Sequence, residues 1–223
     1  MKKVVQRETL SDQAYRIIKQ AITDGRLKDK ESLPEEKLAK DLGISRTPLR
    51  DAFARLAAEG LIIQQKGAPA IVASFTKKNS LEYMELRSLL EVYNIEKVTV
   101  KMSDEMIEKL QENLASQRTA INENKYNEFI ELDRDFHLLL AACNDNEEIK
   151  KVIHRMNTGV NRAFLILSST VPKSAEDAYK EHQEILQALE QKDVVTARNS
   201  MLVHMSNVKK RFLSYYDHAE NKN

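Results

Sequence analysis

Apolar residues recur every three or four positions over long stretches between residues 79 and 217, where glycine and proline are rare. This 3.6-residue period is typical of amphipathic helices whose apolar stripe faces a core. Ser103 and Ser174 are predicted as N-caps because acidic residues follow them in the first turn. The pattern predicts six helices, at about 79–101, 104–123, 126–143, 146–168, 174–191 and 193–217.

The first 75 residues show shorter elements with frequent glycine and proline. Helices are predicted near 10–24, 35–42 and 46–59. Two short apolar runs, 61–65 and 70–74, flank the segment 66–69 and indicate a hairpin. We therefore expect a mainly α chain, with a winged helix-turn-helix in 1–75 and an all-α, six-helix antiparallel bundle in 76–223.

The second and third helices with the intervening Gly43 form a helix-turn-helix pattern, and the hairpin behind them is a candidate wing. The start of the third helix offers two guanidinium groups and two hydroxyls, which suit phosphates and guanine edges. The alternative is a purely structural hairpin whose charged residues are simply solvated. The candidate DNA-contacting residues are Ser45, Arg46, Thr47 and Arg50 on the helix, and Lys66 and Gly67 at the wing tip.

Four polar residues lie inside the apolar stripes of three helices rather than on their polar faces: Asp133, His137, His182 and His204. Burying such groups without partners is costly. A divalent metal ion bound by one carboxylate and three imidazoles would provide a partner and leave open coordination positions. The alternative for each histidine is a hydrogen-bonded core residue. Asp135 and His154 lie off their stripes and serve as internal controls.

Arg87 is a further candidate because it lies in a mainly apolar helix. A buried guanidinium there could form a bidentate pair with an acidic effector. The alternatives are a surface arginine or a salt bridge to Glu91, four residues later.

Composition excludes several classes of protein. No apolar run reaches the ~18–20 residues of a membrane span, and no apolar segment follows the basic N-terminus, so neither a membrane protein nor a secretory signal is expected. Cys143 is the sole cysteine, which excludes an intrachain disulfide and suits a reducing cytoplasm. The formal net charge is +4 for residues 1–75 (14 basic, 10 acidic) and −3 for the remainder (21 basic, 24 acidic), a distribution that points weakly to nucleic acid.

The N-terminal residues resemble the winged helix of the GntR family of bacterial regulators. The resemblance covers most of residues 9–73 and implies operator contacts by Arg46, Thr47 and Arg50, a phosphate contact by Ser45, and a wing tip at Lys66 and Gly67. This wing tip is less basic than is usual in the family. The matching segments are Gly25–Leu27, Leu33–Ala39, Leu42–Ala52, Arg55–Leu56 and Glu59–Ile62.

The remainder resembles, more sparsely, the FCD ligand-binding domain that follows the winged helix in the FadR subfamily. The matching segments are Glu85–Glu91, Asp133–His137 with Asn144, Glu181–Leu186 and Ala197–His204. With six predicted helices, the second part of the chain resembles the shorter, VanR-like branch of the FCD family. The resemblance implies a divalent metal (zinc, nickel or similar) that helps to hold a small carboxylate effector.

Together these features predict a transcriptional regulator, expected to be a repressor, that is controlled by a small organic acid bound at a metal site. In the alternative, the metal ion itself is the effector. A metal-dependent enzyme is a remote alternative, because no acid is clearly placed beside the ion as a general base. A homodimer is expected, since two-fold symmetry matches a near-palindromic operator.

Overall fold

The structure, a computed structural model, describes residues 8–23, 26–73, 77–166 and 171–220. The chain divides into two compact units, Met1–Phe75 and Thr76–Asn223. Within the described residues, no helix is both long and apolar enough to cross a lipid bilayer.

The first unit contains three helices and a small antiparallel sheet. The helices are α1 (Leu10–Thr23), α2 (Glu35–Leu42) and α3 (Arg46–Ala58); the strands are β1 (Ser32–Leu33), β2 (Ile62–Gln65) and β3 (Ala68–Val72), in the sheet order β1-β3-β2. Buried apolar side chains from all three helices and the sheet form one core, which includes Ile18, Leu49, Phe53 and Val72. This arrangement is the predicted winged helix-turn-helix.

The turn between α2 and α3 has the geometry that the sequence predicts. Gly43 ends α2 in the left-handed conformation, with φ 66°, and its N–H group bonds to carbonyls of the last turn. Ser45 occupies the N-cap position of α3, but its side chain makes no capping hydrogen bond. Its exposed hydroxyl therefore remains available to another acceptor or donor.

The wing differs from its predicted bounds. The strand expected at 70–74 begins two residues earlier, at Ala68, which pairs with Gln65. Gly67 has φ 77°, so the chain can reverse at Lys66 and Gly67 alone instead of using the four-residue loop 66–69. Residue 74 lies outside the described residues. The two-residue strand β1 was not predicted, since it is too short to show an alternating pattern.

The second unit contains the six predicted helices. They are α4 (Lys77–Val98), continued by a 3₁₀ turn at Thr99–Lys101, α5 (Asp104–Asn122), α6 (Tyr126–Ala142), α7 (Glu147–Ile166), α8 (Val171–Glu190) and α9 (Val194–Glu220). The hydroxyl of Ser103 accepts a hydrogen bond from the Met106 N–H group, so its prediction as an N-cap is confirmed. The cap predicted at Ser174 is wrong, because α8 already begins at Val171. Pro172 is compatible with a first helical turn, where its missing N–H group costs nothing.

The core of this unit lies between α4, α5, α6, α8 and α9. It contains Ile95, Leu110, Phe136, Leu189 and Met201 among its completely buried side chains. α6 packs against α5 and α7, while α8 lies between α5 and α9 and α9 also packs against α4. Residues on the inner faces of α6, α8 and α9 therefore meet within the bundle.

Candidate metal centre and nucleic-acid interface

Three histidines from three helices meet in the core of the bundle. His137 lies on α6, His182 on α8 and His204 on α9, and all three side chains are completely buried. One nitrogen from each ring can be chosen so that all three lie within 4.8 Å of one another. Helices distant in sequence thus place three imidazoles around one point.

Each of these rings has a polar partner at its Nδ1 atom, on the side away from the cluster. The His204 Nδ1 lies 2.7 Å from a Glu181 carboxylate oxygen, and the His182 Nδ1 lies 3.0 Å from the Gln117 amide oxygen. The His137 Nδ1 lies 3.3 Å from a Glu91 oxygen, without hydrogen-bond alignment. Since these oxygens accept hydrogen bonds, they favour the tautomer with the proton on Nδ1 and a lone pair on Nε2.

The Nε2 atoms are the ones that face the cluster. Those of His204 and His137 are 3.2 Å apart, and the buried Nε2 of His182 has no hydrogen-bond partner among the described residues. If the protons are on Nδ1, two lone pairs face each other at the short distance. A cation between them would relieve this repulsion, and two nitrogens each ~2.1 Å from one ion lie about 3–3.4 Å apart. The donor set therefore fits a divalent metal.

Asp133 lies at the edge of this cluster. One of its oxygens is 3.5 Å from the His182 Nε2, and 18% of its side chain is exposed. It is four residues before His137 on α6, which places both on one helix face. The two internal controls point elsewhere: Asp135 is half-buried and paired with Arg134, and His154 is exposed. The structure thus brings Asp133 near the three histidines and excludes both controls.

Three residues that support the histidines were not predicted as site residues: Glu91, Gln117 and Glu181. Gln117 carried a usable signal, because it lies in the apolar stripe of α5 between Leu114 and Ile121. Glu181 directly precedes His182, but its contact is with His204 of the next helix. That contact depends on how α8 and α9 pack, which sequence spacing does not specify.

Neighbouring cations and hydrogen-bond donors hold both supporting glutamates ionised. Burial raises the pKa of Glu91, but His137, Arg87 and Asn157 outweigh it and lower that pKa from 4.5 to about 2. Burial likewise opposes the shift at Glu181, where the Arg211 guanidinium and His204 lower the pKa to about 2. Both carboxylates therefore remain acceptors at neutral pH.

Two of the buried imidazoles, those of His182 and His204, favour the neutral form that binds metal ions. Burial is the main reason that the pKa of His182 lies well below 6.5, and positive charge on His204, His137 or Arg87 would lower it further. Burial also lowers the pKa of His204, although its hydrogen bond to Glu181 opposes the shift. Neutral imidazole is the ligand form, so these two histidines need not lose a proton to bind an ion at neutral pH.

These shifts predict how stability depends on pH. A group whose pKa is lower in the folded chain takes up a proton on unfolding, so stability falls as the pH drops through the window between its two pKa values. For the metal-free protein we expect the free energy of unfolding to decline below pH 6.5 because of His182 and His204. It should decline again between 4.5 and about 2 because of Glu91 and Glu181. Urea unfolding at pH values across this range measures the free energy of unfolding. A free energy of unfolding that rises as the pH falls below 6.5 would contradict the prediction.

Arg87 is buried beside this cluster, with 2% of its side chain exposed. Its Nε atom lies 3.4 Å from a Glu91 oxygen, so the salt bridge considered as an alternative is present, and the surface alternative is wrong. Its Nη2 atom has no hydrogen-bond partner within the described parts of the chain. One guanidinium nitrogen is therefore buried and unsatisfied, which is the condition in which an additional anion is favoured.

The predicted DNA-contacting residues all lie on the surface of the first unit. Ser45, Arg46, Thr47 and Arg50 at the start of α3 are exposed, and so are Lys66 and Gly67 at the wing tip. Both arginines already have partners on α2: Arg46 lies 2.9 Å from Glu36 and Arg50 lies 2.8 Å from Glu35. The sequence analysis did not identify these two glutamates. In the chain without DNA they form ion pairs with the guanidinium groups that are predicted to contact phosphates and bases.

Comparison with known sequences gives two family matches. The profile described as "Bacterial regulatory proteins, gntR family" matches residues 10–72, and that of the FCD domain matches residues 82–207, more than half of the chain. The HTH-type transcriptional regulator YdhC of Bacillus subtilis (strain 168) is 29% identical over 195 residues, which cover 87% of each chain. The HTH-type transcriptional repressor RspR of Escherichia coli (strain K12) is 24% identical over 202 residues, covering 90% of this chain and 88% of that protein.

Solved structures share the fold. E. coli McbR/YncC superposes with a TM-score of 0.75 at 21% identity, covering 93% of this chain and 99% of the other. A GntR transcriptional regulator from Rhodococcus sp. RHA1 superposes with a TM-score of 0.74 at 18% identity, covering 92% and 97%. The matched families and sequence relatives are regulators of transcription and not enzymes. The chain therefore belongs to the gntR family of bacterial regulatory proteins, with an FCD domain as its second part, and is a DNA-binding transcriptional regulator.

Proposed function

We propose that this regulator is a repressor whose affinity for operator DNA is controlled by a small organic acid bound at a metal site in the FCD domain. The observation that carries the proposal is the convergence of three completely buried histidines on one point. A transition-metal ion such as Zn²⁺ or Ni²⁺ would be held by His137, His182 and His204, with Asp133 as a fourth ligand. When bound, such an ion supplies open coordination positions that a carboxylate can occupy.

The supporting residues favour a resident ion over a purely structural histidine cluster. Glu181 accepts hydrogen bonds from Asn207 and from two Arg211 nitrogens. These bonds orient both carboxylate oxygens, one of which also contacts His204. Asn157 donates to Glu91 in the same way at 2.7 Å. Partners of this kind orient metal-binding imidazoles and strengthen their basicity.

The acid effector is inferred from Arg87. The Glu91 Oε1 atom that lies 3.4 Å from the Arg87 Nε also lies 3.3 Å from the His137 Nδ1, so the guanidinium and the histidines belong to one polar cluster. A small carboxylate could bind the ion with one oxygen and the free Nη2 of Arg87 with the other. The acidic Glu91 beside it would repel a second negative charge, which favours a monocarboxylate over a dicarboxylate.

Repression is proposed because RspR, which aligns over most of this chain, is named as a transcriptional repressor. Dimerisation is proposed from the geometry of operator recognition. One recognition helix contacts only a few base pairs, and two copies related by a two-fold axis read matched half-sites of a near-palindrome. In the alternative function, the metal ion alone is the effector. It uses the same histidines, but Arg87 has no role in binding an effector.

A binding titration tests the proposal. Operator DNA would first be selected by the protein from random duplexes. Its affinity would then be measured by fluorescence anisotropy for protein that is chelated, zinc-loaded, or zinc-loaded with each of a panel of small monocarboxylates and dicarboxylates. We expect at least one acid to weaken DNA binding roughly tenfold or more, within the usual coupling range of 1–3 kcal/mol, and only when metal is present.

Arg87→Lys separates the two alternatives. It should retain bound metal but lose most of the response to the acid, whereas Arg198→Lys, at an exposed arginine paired with Glu96, should behave as wild type. A response to zinc alone, unchanged by every acid and by Arg87→Lys, would support the metal-only function. Protein that binds no metal, or that responds equally to acid when chelated, would contradict both.

A further inference from the structure

Two buried amide side chains of α5 connect His182 to the backbone of α6. The His182 Nδ1 atom lies 3.0 Å from the Oε1 atom of Gln117, and the Nε2 atom of Gln117 donates a hydrogen bond of 2.7 Å to the Oδ1 atom of Asn113. The Nδ2 atom of Asn113 in turn donates to the main-chain carbonyl of Leu132 at 3.1 Å. Gln117 is completely buried and Asn113 is 9% exposed, so these bonds form within the bundle. We call the series Leu132, Asn113, Gln117 and His182 the amide relay.

The direction of the amide relay is set at its Leu132 end. A carbonyl oxygen only accepts hydrogen bonds, and one inside a helix has a second lone pair besides the one used in the helix. Asn113 must therefore turn its Nδ2 toward Leu132 and its Oδ1 toward Gln117. Gln117 must then turn its Nε2 toward Asn113, which leaves its Oε1, an acceptor, facing His182. Reversing either amide would place two acceptors against each other in the core, where unsatisfied polar groups are costly.

A second acceptor competes for the proton of His182. A neutral imidazole carries one N–H proton, on Nδ1 or on Nε2, and free histidine in water prefers Nε2. An oxygen of Asp133 lies 3.5 Å from the His182 Nε2 and is close enough to attract a proton on that atom. With the proton there, the lone pair that faces the histidine cluster would be lost. The Gln117 oxygen therefore decides whether His182 can be a metal ligand.

The other two histidines of the cluster need no such relay. His204 and His137 face the carboxylates of Glu181 and Glu91, in which both oxygens accept hydrogen bonds. A carboxylate therefore favours a proton on Nδ1 whichever way it is turned. An amide has one acceptor end and one donor end, and its donor end would favour the opposite tautomer. Of the three histidines, His182 is thus the one whose tautomer depends on the orientation of its neighbour.

We propose that Asn113 is a positioning residue for the metal site: it orients Gln117 so that the proton of His182 stays on Nδ1 and the Nε2 lone pair faces the ion. The inference rests on the metal site of the proposed function and adds a residue that acts on it through Gln117. Because Leu132 directly precedes Asp133 on α6, the amide relay also links the tautomer of one ligand to the helix segment that carries another.

Nitrogen NMR of the metal-free, full-length protein labelled with ¹⁵N-histidine tests the tautomer at neutral pH. A ring nitrogen with a proton and one with a lone pair differ widely in chemical shift, and the signals of His182 are those missing from His182→Gln. We expect Nδ1–H in wild type and a shift toward Nε2–H in Asn113→Leu, which has no acceptor for Gln117. Asn113→Asp should keep Nδ1–H, because an oxygen faces Gln117 whether the new carboxyl group is ionised or donates its proton to Leu132.

Zinc affinity, measured by competition with a chromophoric chelator, is the second measurement. Asn113→Leu should bind zinc about tenfold more weakly, at the lower end of the range for residues that support metal ligands. Asn113→Asp should bind zinc as wild type does. Asn94→Leu is the matched control, since Asn94 is also a buried amide but is hydrogen-bonded to Asn144 on a different side of α6 from Gln117. It should lose stability and keep both the His182 tautomer and the zinc affinity.

The outcomes separate this inference from the proposed function. Wild type that binds no zinc would overturn the metal site and, with it, the positioning role of Asn113. Zinc binding by a wild type that carries Nε2–H on His182, or an unchanged tautomer in Asn113→Leu, would overturn this inference alone. Equal loss of zinc affinity in Asn113→Leu and Asn113→Asp would show that Asn113 acts by packing and would overturn it as well. Nε2–H in Asn113→Asp would do the same, even if Asn113→Leu did not fold.

Discussion

His182→Ala will lose the bound metal ion and with it the metal-dependent part of the protein's thermal stability. The ion would link α6, α8 and α9, and a ligand that binds only the folded state stabilises that state by mass action. At a free metal concentration 100 times the dissociation constant, this contribution is about 2.7 kcal/mol. For a chain of this size it corresponds to a melting temperature roughly 5–10 °C higher in the metal-loaded protein.

Two comparisons isolate the metal effect from the loss of a buried side chain. His182→Ala also removes the contact with Gln117, so its metal-free form will itself be less stable than metal-free wild type. The decisive quantity is the difference in melting temperature with and without chelator, measured together with metal content by plasma mass spectrometry. His154 is an exposed histidine on α7, so His154→Ala should retain the bound metal and the same difference in melting temperature with and without chelator. Equal metal in wild type and His182→Ala would place the site elsewhere.

Arg46→Ala and Arg50→Ala should each weaken operator binding without unfolding the protein. Both side chains are exposed at the start of α3, so truncation leaves no cavity. Loss of a bidentate contact to a base costs roughly 1–3 kcal/mol, or about 5- to 150-fold in affinity, and is specific to the operator. Loss of a phosphate contact weakens all sequences about equally and reduces the dependence of affinity on salt. Anisotropy titrations on operator and scrambled DNA at several salt concentrations distinguish the two.

The glutamates on α2 supply the matched control. Glu35→Gln and Glu36→Gln remove the charges that hold Arg50 and Arg46, so both arginines can reach DNA without first breaking an ion pair. These variants should bind DNA more tightly, by a few-fold because exposed pairs are weak. Unchanged operator affinity in both arginine variants would exclude α3 as the recognition helix, whatever the glutamate variants do.

Much of the fold could be predicted from local patterns. The bounds of α2 and α3, the break at Gly43 and the six later helices follow from helical periodicity and from residues that favour helix ends. The errors occur where nonlocal or very short features decide the structure. β1 exists only because Ser32 and Leu33 pair with β3. α8 begins at Val171 and includes Pro172, a residue type that can either break a helix or begin one.

The candidate site shows the same division. The three histidines could be selected because each interrupts an apolar stripe, a property of one helix at a time. The partner of each histidine could not be assigned, since Gln117 and His182 are 65 residues apart and Glu91 and His137 are 46 apart. These pairs depend on the rotation and register of packed helices. Arg87 illustrates the limit: sequence offered a salt bridge and an effector contact as alternatives, whereas the buried side chain has one nitrogen near Glu91 and another unsatisfied.

α4 has consequences for how a chemical signal could reach the surface of the second unit. Arg87, Glu91 and Asn94 occupy its inward side, while Leu86, Leu89 and Tyr93 occupy its outward side. A helix of 22 residues moves as a nearly rigid rod, so its two sides cannot shift independently. Any rotation of α4 that improved contact between Arg87 and a bound acid would therefore also move Leu89 on the outer side of the helix. Binding of an acid at the buried guanidinium would then be detectable at the outer surface of the second unit, where Leu89 is 66% exposed.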